Sequence, residues 1–491
     1  MTQERSGAML SEAVMAELKA AVGSAGLIFE QSQLQTYECD GLVAFRGMPG
    51  AVALPRSTAE AQAVVKVCAK HGIPFVARGA GTGLSGGATP MEGGVVISFA
   101  RMNRILAVDL PNQRVTVQPG VINAHVTQRV AGMGYFYAPD PSSQSVCTIG
   151  GNVAENAGGA HCLKYGFTTT HVLAMTVVLP TGEVVRMGSE TLDAPGYDLA
   201  GVFVGSEGTL GLATEMTLRI VRKPETVQVL LGAFDTIAAA GQTVSDIIAA
   251  GILPAAMEIM DKLSIESAEA SVHPNYPRCE ALLLIEIDGP AAEVEAHMAE
   301  VRALCRKNGS WEDRLAQSEA ERMLVWKGRK AAFAAAGRLA PNYIVQDGVI
   351  PRTRLPEILE RIGTMSSAAG LRVSNVFHAG DGNLHPIVLY DASVAGQEEV
   401  AVDLSTRILE LCVDLGGSIT GEHGVGKEKQ QAMGYMYSEP DLDTMQRVRH
   451  AFDPAGIANP DKIFPRPRLC GERTGPYALH PLEVAGVAEY F

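Results

Sequence analysis

Apolar positions recur with helical spacing over residues 8–23, and the segment predicts an amphipathic helix. The next patterned stretch, "AVALPRSTAEAQAVVKVCAKHGIPFVARG", predicts strand, helix and strand. Ser57 or Thr58 caps the helix, Glu60 stands in its first turn and Gly72 follows it. "GGVVISF", "RILAVDL" and "RVTVQPG" are short β-rich runs divided by turn residues. "VINAHVTQRVAGMG" predicts a helix ended by glycine. "VLAMTVVLPTGEVVRM" predicts a hairpin around Pro-Thr-Gly, and "LGLATEMTLRIV" closes this half. Through about residue 224 the pattern is two small α+β units.

A second region follows "RKPET". "VQVLLGAF" predicts a strand, 236–251 a helix, "ALLLIEIDG" a strand and 291–308 a helix, the order of a ferredoxin-like unit. Helices over 355–370 and 396–415 flank the strand "RVSNVFHAG". "AFDPAGIANPDKIFP" is turn-rich, and the tail from 466 has little periodicity. The expected organisation is a helical segment over 1–48, one domain over 49–225, a second over 226–465, and a tail over 466–491.

Composition narrows the class. The 491 residues suit about three domains. A net charge of −14 argues against a nucleic-acid partner and against an anionic membrane surface held by charge alone. No apolar run is long enough to span a bilayer, and "MTQERSGAML" lacks a signal pattern, so a cytoplasmic protein is expected. The eight cysteines form no C-x-x-C and read as free thiols, with no cluster or structural zinc of their own.

"RGAGTGLSGG", residues 78–87, carries the G-x-G-x-x-G spacing of a dinucleotide-binding turn. That turn requires a helix after it to receive the pyrophosphate. Pro90, Gly93 and Gly94 follow instead, leading into a strand. A backbone nest for a pyrophosphate needs no helix. Further small-residue loops at 148–159 and 205–215 fit one long ligand.

These stretches, with "PDPSSQSVCTIGGNVAENAGG" and "VGSEGTLGLATE", resemble the PCMH-type FAD domain of the vanillyl-alcohol-oxidase family. "HAGDGNLHP", "GEHGVGKEK" and "FDPAGIANPDKIFP" resemble its D-2-hydroxy-acid dehydrogenase branch, over residues 20–465. The implied fold is α+β, a two-part FAD domain with a ferredoxin-like substrate or cap domain and a C-terminal helical segment. The resemblance implies that Arg78, Gly79, Ala80, Gly81, Thr82, Gly83, Ser85 and Gly86 wrap the FAD pyrophosphate. Pro139, Asp140, Thr148, Gly150, Gly151 and Asn152 would lie along the cofactor, lined also by Gly158, Gly208 and Leu212, with Asn459 approaching from the C-terminal end. No histidine occurs in 78–87, so the FAD is expected to be non-covalent.

In "HAGDGNLH", Gly380 and Gly382 exclude a helix, so His378 and His385 share a tight loop able to converge on one ion. Glu422 in "GEHG" can add a carboxylate, a set suited to zinc, manganese or iron. The resemblance assigns these three as metal ligands and makes His423 the general base. Asp381 and Asn383 read as turn-formers and Trp326 as packing. Arg329 matches the family's clamp for the substrate carboxylate. Phe333, Val345 and Pro386-Ile387 depart from the dicarboxylate branch and point to a small 2-hydroxy monocarboxylate, glycolate or D-lactate. Electrons would leave through FAD to an acceptor other than NAD. The resemblance implies a second FAD-domain subunit and an iron–sulfur subunit, with peripheral association at the inner face of the membrane through them. A non-catalytic FAD-binding subunit would lack the histidine loop, "GEHG" and the arginine.

Overall fold

The computed structural model describes residues 10–191 and 196–465. The tail expected over 466–491 lies outside them.

The first half is two α+β units. A four-stranded sheet orders Leu27–Ile28, Ala51–Ala53, Val95–Ser98 and Phe75–Arg78. The last two pairings are parallel, joined across the helix Thr58–His71. Ser57 caps that helix by accepting from Glu60 N, and Gly72 ends it at φ +61. Val64, Val65 and Cys68 pack against Val95 and Ile97. A five-stranded antiparallel sheet orders Ile105–Asp109, Arg114–Val117, Leu212–Arg219, Val172–Val178 and Val184–Gly188. It includes the expected hairpin. Nothing after Gly86 is helical before Val95.

One small-residue stretch differs from the loop expected. Thr148 caps a helix, Ile149–Glu155, which Asn156 ends at φ +51. Gly150 and Gly151 lower helical propensity and hide the element.

In the second half the strands Glu312–Leu315, Thr226–Phe234, Ala281–Gly289 and Ala256–Asp261 lie side by side in that order, all antiparallel. This is the ferredoxin-like order, with the helix Lys262–Val272 added. Ala256–Asp261 and the helix Lys262–Val272 intervene where the hydrophobic pattern marks neither. "AMEIMD" carries a glutamate at its centre, which breaks the apolar run. Arg372–His378 extends the sheet from Ala256–Asp261.

Both faces of this sheet are covered. Leu230, Phe234, Leu283 and Ile285 pack beneath helices Ile237–Ala249, Ala291–Lys307, Leu355–Ala369 and Gln397–Asp414. Val229, Leu231, Leu282 and Leu284 face Lys262–Val272 and Glu319–Ala335. Double coverage explains why these strands read as continuous apolar runs.

Residues 457–459 return to the first sheet. Phe75 N donates to Ile457 O (2.9 Å) and Asn459 N to Phe75 O (2.7 Å). The two halves meet around a shared cavity.

Candidate active site

The cavity is walled by residues 79–84, the Ile149–Glu155 helix and residues 207–213 on one side, and by Phe333, Tyr343, Val345, Glu422 and His423 on the other. Glycine here serves the cavity at two positions. Neither Gly83 nor Gly151 has a positive φ. A methyl added to Gly83 would meet only Asp40 Oδ2, at 3.8 Å, and one on Gly151 only Thr148 Oγ1, at 3.5 Å. The protein's own packing does not require glycine at either place, so the space belongs to what enters. Gly151 sits within a helix, where glycine is unfavourable relative to alanine by about 0.5–1 kcal/mol. Gly151→Ala is therefore expected to raise the denaturation midpoint of the flavin-free chain while weakening FAD binding by about tenfold or more. Titration of FAD against the stripped protein checks this.

Gly79, Ala80, Gly81, Thr82, Gly83, Thr148, Gly150, Gly151, Asn152, Gly208 and Leu212 all line the cavity. Other expected cofactor residues stand behind the walls. Arg78 donates to Cys39 O (2.7 Å), and its guanidinium packs under Gly81, where a methyl would lie 2.3 Å away. Ser85 O accepts from Lys427 N and Glu428 N, and Gly86 rests on Phe45 and Lys427. Pro139 O accepts from Asn123 Nδ2. Gly158 leaves room for Glu422, whose Oε2 would be 2.9 Å from a methyl there. Asn459 is a latch: its Nδ2 donates to Gly87 O (2.8 Å) and Glu207 O (2.6 Å). These residues shape the walls from behind, with the Arg78 guanidinium, the Pro139 carbonyl and the Asn459 amide nitrogen committed to protein.

Asp140 joins the halves. His161 lies between Asp140 (Nδ1, 3.0 Å) and Glu286 (Nε2, 3.1 Å). Trp326 Nε1 donates to Glu286 at 2.6 Å, so this tryptophan is a polar partner as well as packing. Burial pushes His161 toward neutrality, but the two carboxylates outweigh it and hold the ring's pKa well above its ordinary value.

His378, His385 and Glu422 converge. Both imidazole Nε2 atoms are 3.3 Å from Glu422 Oε1, and the three ligand atoms lie within 4.8 Å of one another. His385 Nε2 and Glu422 Oε2 are buried without an aligned hydrogen-bond partner. His385 Nδ1 faces Gln346 O (3.4 Å), which turns Nε2 toward the cluster. His378 Nδ1 is held by Glu258 Oε1 at 2.7 Å, the carboxylate–histidine arrangement that orients a metal ligand. Donor type, convergence and orphaned atoms all fit a divalent ion. Asp347, His385 and His423 form a second group within the same reach. There the Asp347 carboxylate is occupied by the turn it supports, so the first set fits an ion better.

That turn is "GEHG". The Asp347 carboxylate accepts from the backbone N of Gly421 (2.9 Å), Glu422 (3.1 Å) and His423 (2.9 Å), and from Thr420 Oγ1 (2.6 Å). Burial would raise its pKa, but His423, Lys429 and His385 outweigh that and keep it below the usual carboxylate range. His423 stacks on His385 with ring centroids 5.1 Å apart, and its Nδ1 has no partner. Burial lowers His423 to about 4, so the ring is neutral and able to accept a proton at neutral pH.

Arg329 is buried, with Nε 2.7 Å and a terminal nitrogen 2.5 Å from Glu258 Oε2. The second contact is an ion pair without hydrogen-bond alignment, and that terminal NH2 directs no N–H at a protein acceptor. The guanidinium lies 5.8 Å over Phe333, one turn along the same helix.

Glu258 and Asp347 are the functional residues the sequence reading missed. Glu258 gave one usable signal, a lone acidic residue within an apolar strand, which must find a partner when buried. Asp347 follows "YIVQ" in a segment read only for its apolar residues.

The fold and this site can be set beside known proteins. Residues 49–188 match the family model of an FAD binding domain, and residues 223–463 that of FAD linked oxidases, C-terminal domain. The chain is 47% identical over 460 residues to glycolate oxidase subunit GlcD of Escherichia coli K12, covering 94% of this chain and 92% of that protein. It is 41% identical over 442 residues to GlcD of Bacillus subtilis strain 168, with 89% and 94% covered. A D-lactate dehydrogenase of Anaerostipes hadrus is 35% identical over 418 residues, with 83% and 88% covered. Substrate-bound p-cresol methylhydroxylase shares the fold, with a TM-score of 0.77 at 17% identity over 92% of this chain and 96% of that one. The chain belongs to the FAD-linked oxidase family and is an FAD-linked oxidoreductase related to the glycolate oxidase GlcD subunits.

Proposed function

We propose that this chain oxidises a small 2-hydroxy monocarboxylate, glycolate first and D-lactate second, to its 2-oxo acid. The observation that carries the reading is the His378–His385–Glu422 cluster beside His423, reaching a glycine-walled cavity through Glu422 and His423. FAD, when bound, supplies the acceptor for the substrate α-hydrogen as hydride. His378, His385 and Glu422 would hold a divalent ion (zinc, manganese or iron), which polarises a hydroxyl oxygen when present. His423 takes the hydroxyl proton on its neutral ring, and Asp347 keeps that ring in place through the backbone of the turn. Arg329, buried behind the wall with its guanidinium fixed by Glu258, is the cation assigned to the substrate carboxylate in this reading. Phe333 and Val345 offer no cation to a second carboxylate, which favours a monocarboxylate.

FAD is held without a covalent bond in this reading, since the loop at 78–87 has no histidine. Electrons leave to an acceptor other than NAD. The seven described cysteines are free. Partners in this reading are a second FAD-domain subunit and an iron–sulfur subunit, in keeping with the relatives being named as subunits. Among the described residues no helix is long and apolar enough to cross a membrane, so association at the membrane would run through those partners.

Metal removal tests the site. Dialysis against a chelator is expected to abolish flavin reduction by glycolate while leaving the flavin bound. Adding back zinc, manganese or iron should restore it. Unchanged reduction in a protein shown to be metal-free would sink the metal assignment and leave the flavin assignment intact.

A further inference from the structure

Two carboxyl groups on the cavity wall take no part in the metal set or in the base. Glu155 closes the Ile149–Glu155 helix, and Glu207 stands in the following small-residue loop. Both line the cavity. They converge on two glycines. A methyl on Gly424 would lie 2.2 Å from Glu155 Oε2 and 3.0 Å from Glu207 Oε1. A methyl on Gly87 would lie 2.8 Å from Glu155 Oε1 and 3.6 Å from Glu207 Oε2. Ser85, fully buried, aims an unpartnered Oγ at the same place, 3.3 Å from the Gly87 methyl position.

The two carboxyls are not equivalent. Each Glu207 oxygen accepts a backbone N–H, from Val425 and from Gly426, both at 2.7 Å. Glu155 Oε2 is buried without a partner. The charges around them do not cancel. Asp40 adds negative charge near Glu155. Lys429 and Lys462 pull both carboxyls down, but burial outweighs them; Lys429 Nζ is shared with Asp347 (3.3 Å) and Lys462 Nζ donates to Thr89 O (3.0 Å). Two carboxylates in so dry a space cannot both ionise, and the one with N–H donors keeps the charge.

We propose that Glu155 and Glu207 are a proton-sharing pair in which Glu207 carries the charge and Glu155 presents its O–H to the flavin ring. The electrostatics agree in direction: burial first, then Glu207, raises the Glu155 pKa well above a carboxyl's ordinary value. Gly424 directly follows His423, so the pair sits at the end of the cavity where hydride transfer must occur. A neutral donor there stabilises the more electron-rich reduced ring. Glu155 therefore tunes the cofactor, and this step rests on the cavity being the flavin's site.

The test has two arms, and neither uses a hydroxy acid. In the holoprotein, poised with redox mediators at neutral pH, Glu155→Gln keeps a donor and should hold the reduced-to-oxidised ratio within about twofold of wild type. Glu155→Ala should lower the ratio at least tenfold, about 30 mV for a two-electron couple. Equal ratios for wild type and Glu155→Ala would overturn the flavin contact. The second arm melts the flavin-free full chain. A raised pKa means the stability linked to the Glu155 proton is present in acid and lost as pH rises toward the folded pKa. The melting temperature of Glu155→Gln relative to wild type should therefore climb as pH rises above the ordinary carboxyl range. A difference that does not change with pH would overturn the proton sharing, even if a variant held no flavin.

Discussion

His423→Ala is expected to retain its FAD and lose roughly 10²–10⁴-fold in the rate of flavin reduction by glycolate, the usual worth of a positioned base. The geometry separates this loss from a folding defect. The backbone of the turn is held at residues 421, 422 and 423 by Asp347, none of which depends on the imidazole. His423 Nδ1 has no protein partner to leave stranded. What goes is a neutral ring with its basic nitrogen beside the His385 face. Single-turnover mixing without oxygen isolates the step. The reduction rate should collapse while the flavin spectrum and the concentration of glycolate giving half the maximal rate change little. A wild-type rate would refute the role of His423.

Glu258→Ala should damage both stability and metal retention, although Glu258 is absent from the cavity wall. This one carboxylate holds His378 Nδ1 with one oxygen and Arg329 with the other, and it is fully buried. Removing it strands a buried guanidinium, which costs about 3–5 kcal/mol. It also frees the His378 ring, and loss of such an orienting carboxylate lowers metal affinity about 10–100-fold. Glu258→Gln preserves the volume and one acceptor, so it should recover part of the stability while remaining weak in metal. Denaturation midpoints and metal content after dialysis read the two effects separately. Normal metal content in Glu258→Ala would show that His378 is not a ligand or needs no orienting partner.

The contrast between Glu258 and His378 shows what the sequence could carry. His378 and His385 stand among glycines, where two imidazoles have no packing purpose, and the loop announces itself locally. Glu258 acts only through partners 71 and 120 residues away, and its strand reads as an interrupted apolar run. Asp347 is similar: its role is to collect N–H groups from a turn 74 to 76 residues later. Thr226–Phe234 and Ala281–Gly289 were legible because both faces of the sheet are buried there. The Ile149–Glu155 helix was not, because the glycines that open the cavity also erase helical propensity. Arg78 and Asn459 read as cofactor contacts, but only the fold shows that the guanidinium and the amide nitrogen are taken by protein.

The proposed reaction requires that a 2-hydroxy acid reduce the bound flavin. The decisive measurement is anaerobic bleaching of the flavin absorbance by glycolate, D-lactate, L-lactate and D-2-hydroxyglutarate, each added to the metal-replete protein. Rapid bleaching by glycolate, slower bleaching by D-lactate and none by L-lactate or D-2-hydroxyglutarate is the predicted result. A flavin that none of the four reduces would contradict the proposed reaction, and one reduced best by D-2-hydroxyglutarate would contradict the substrate class read from Phe333 and Val345.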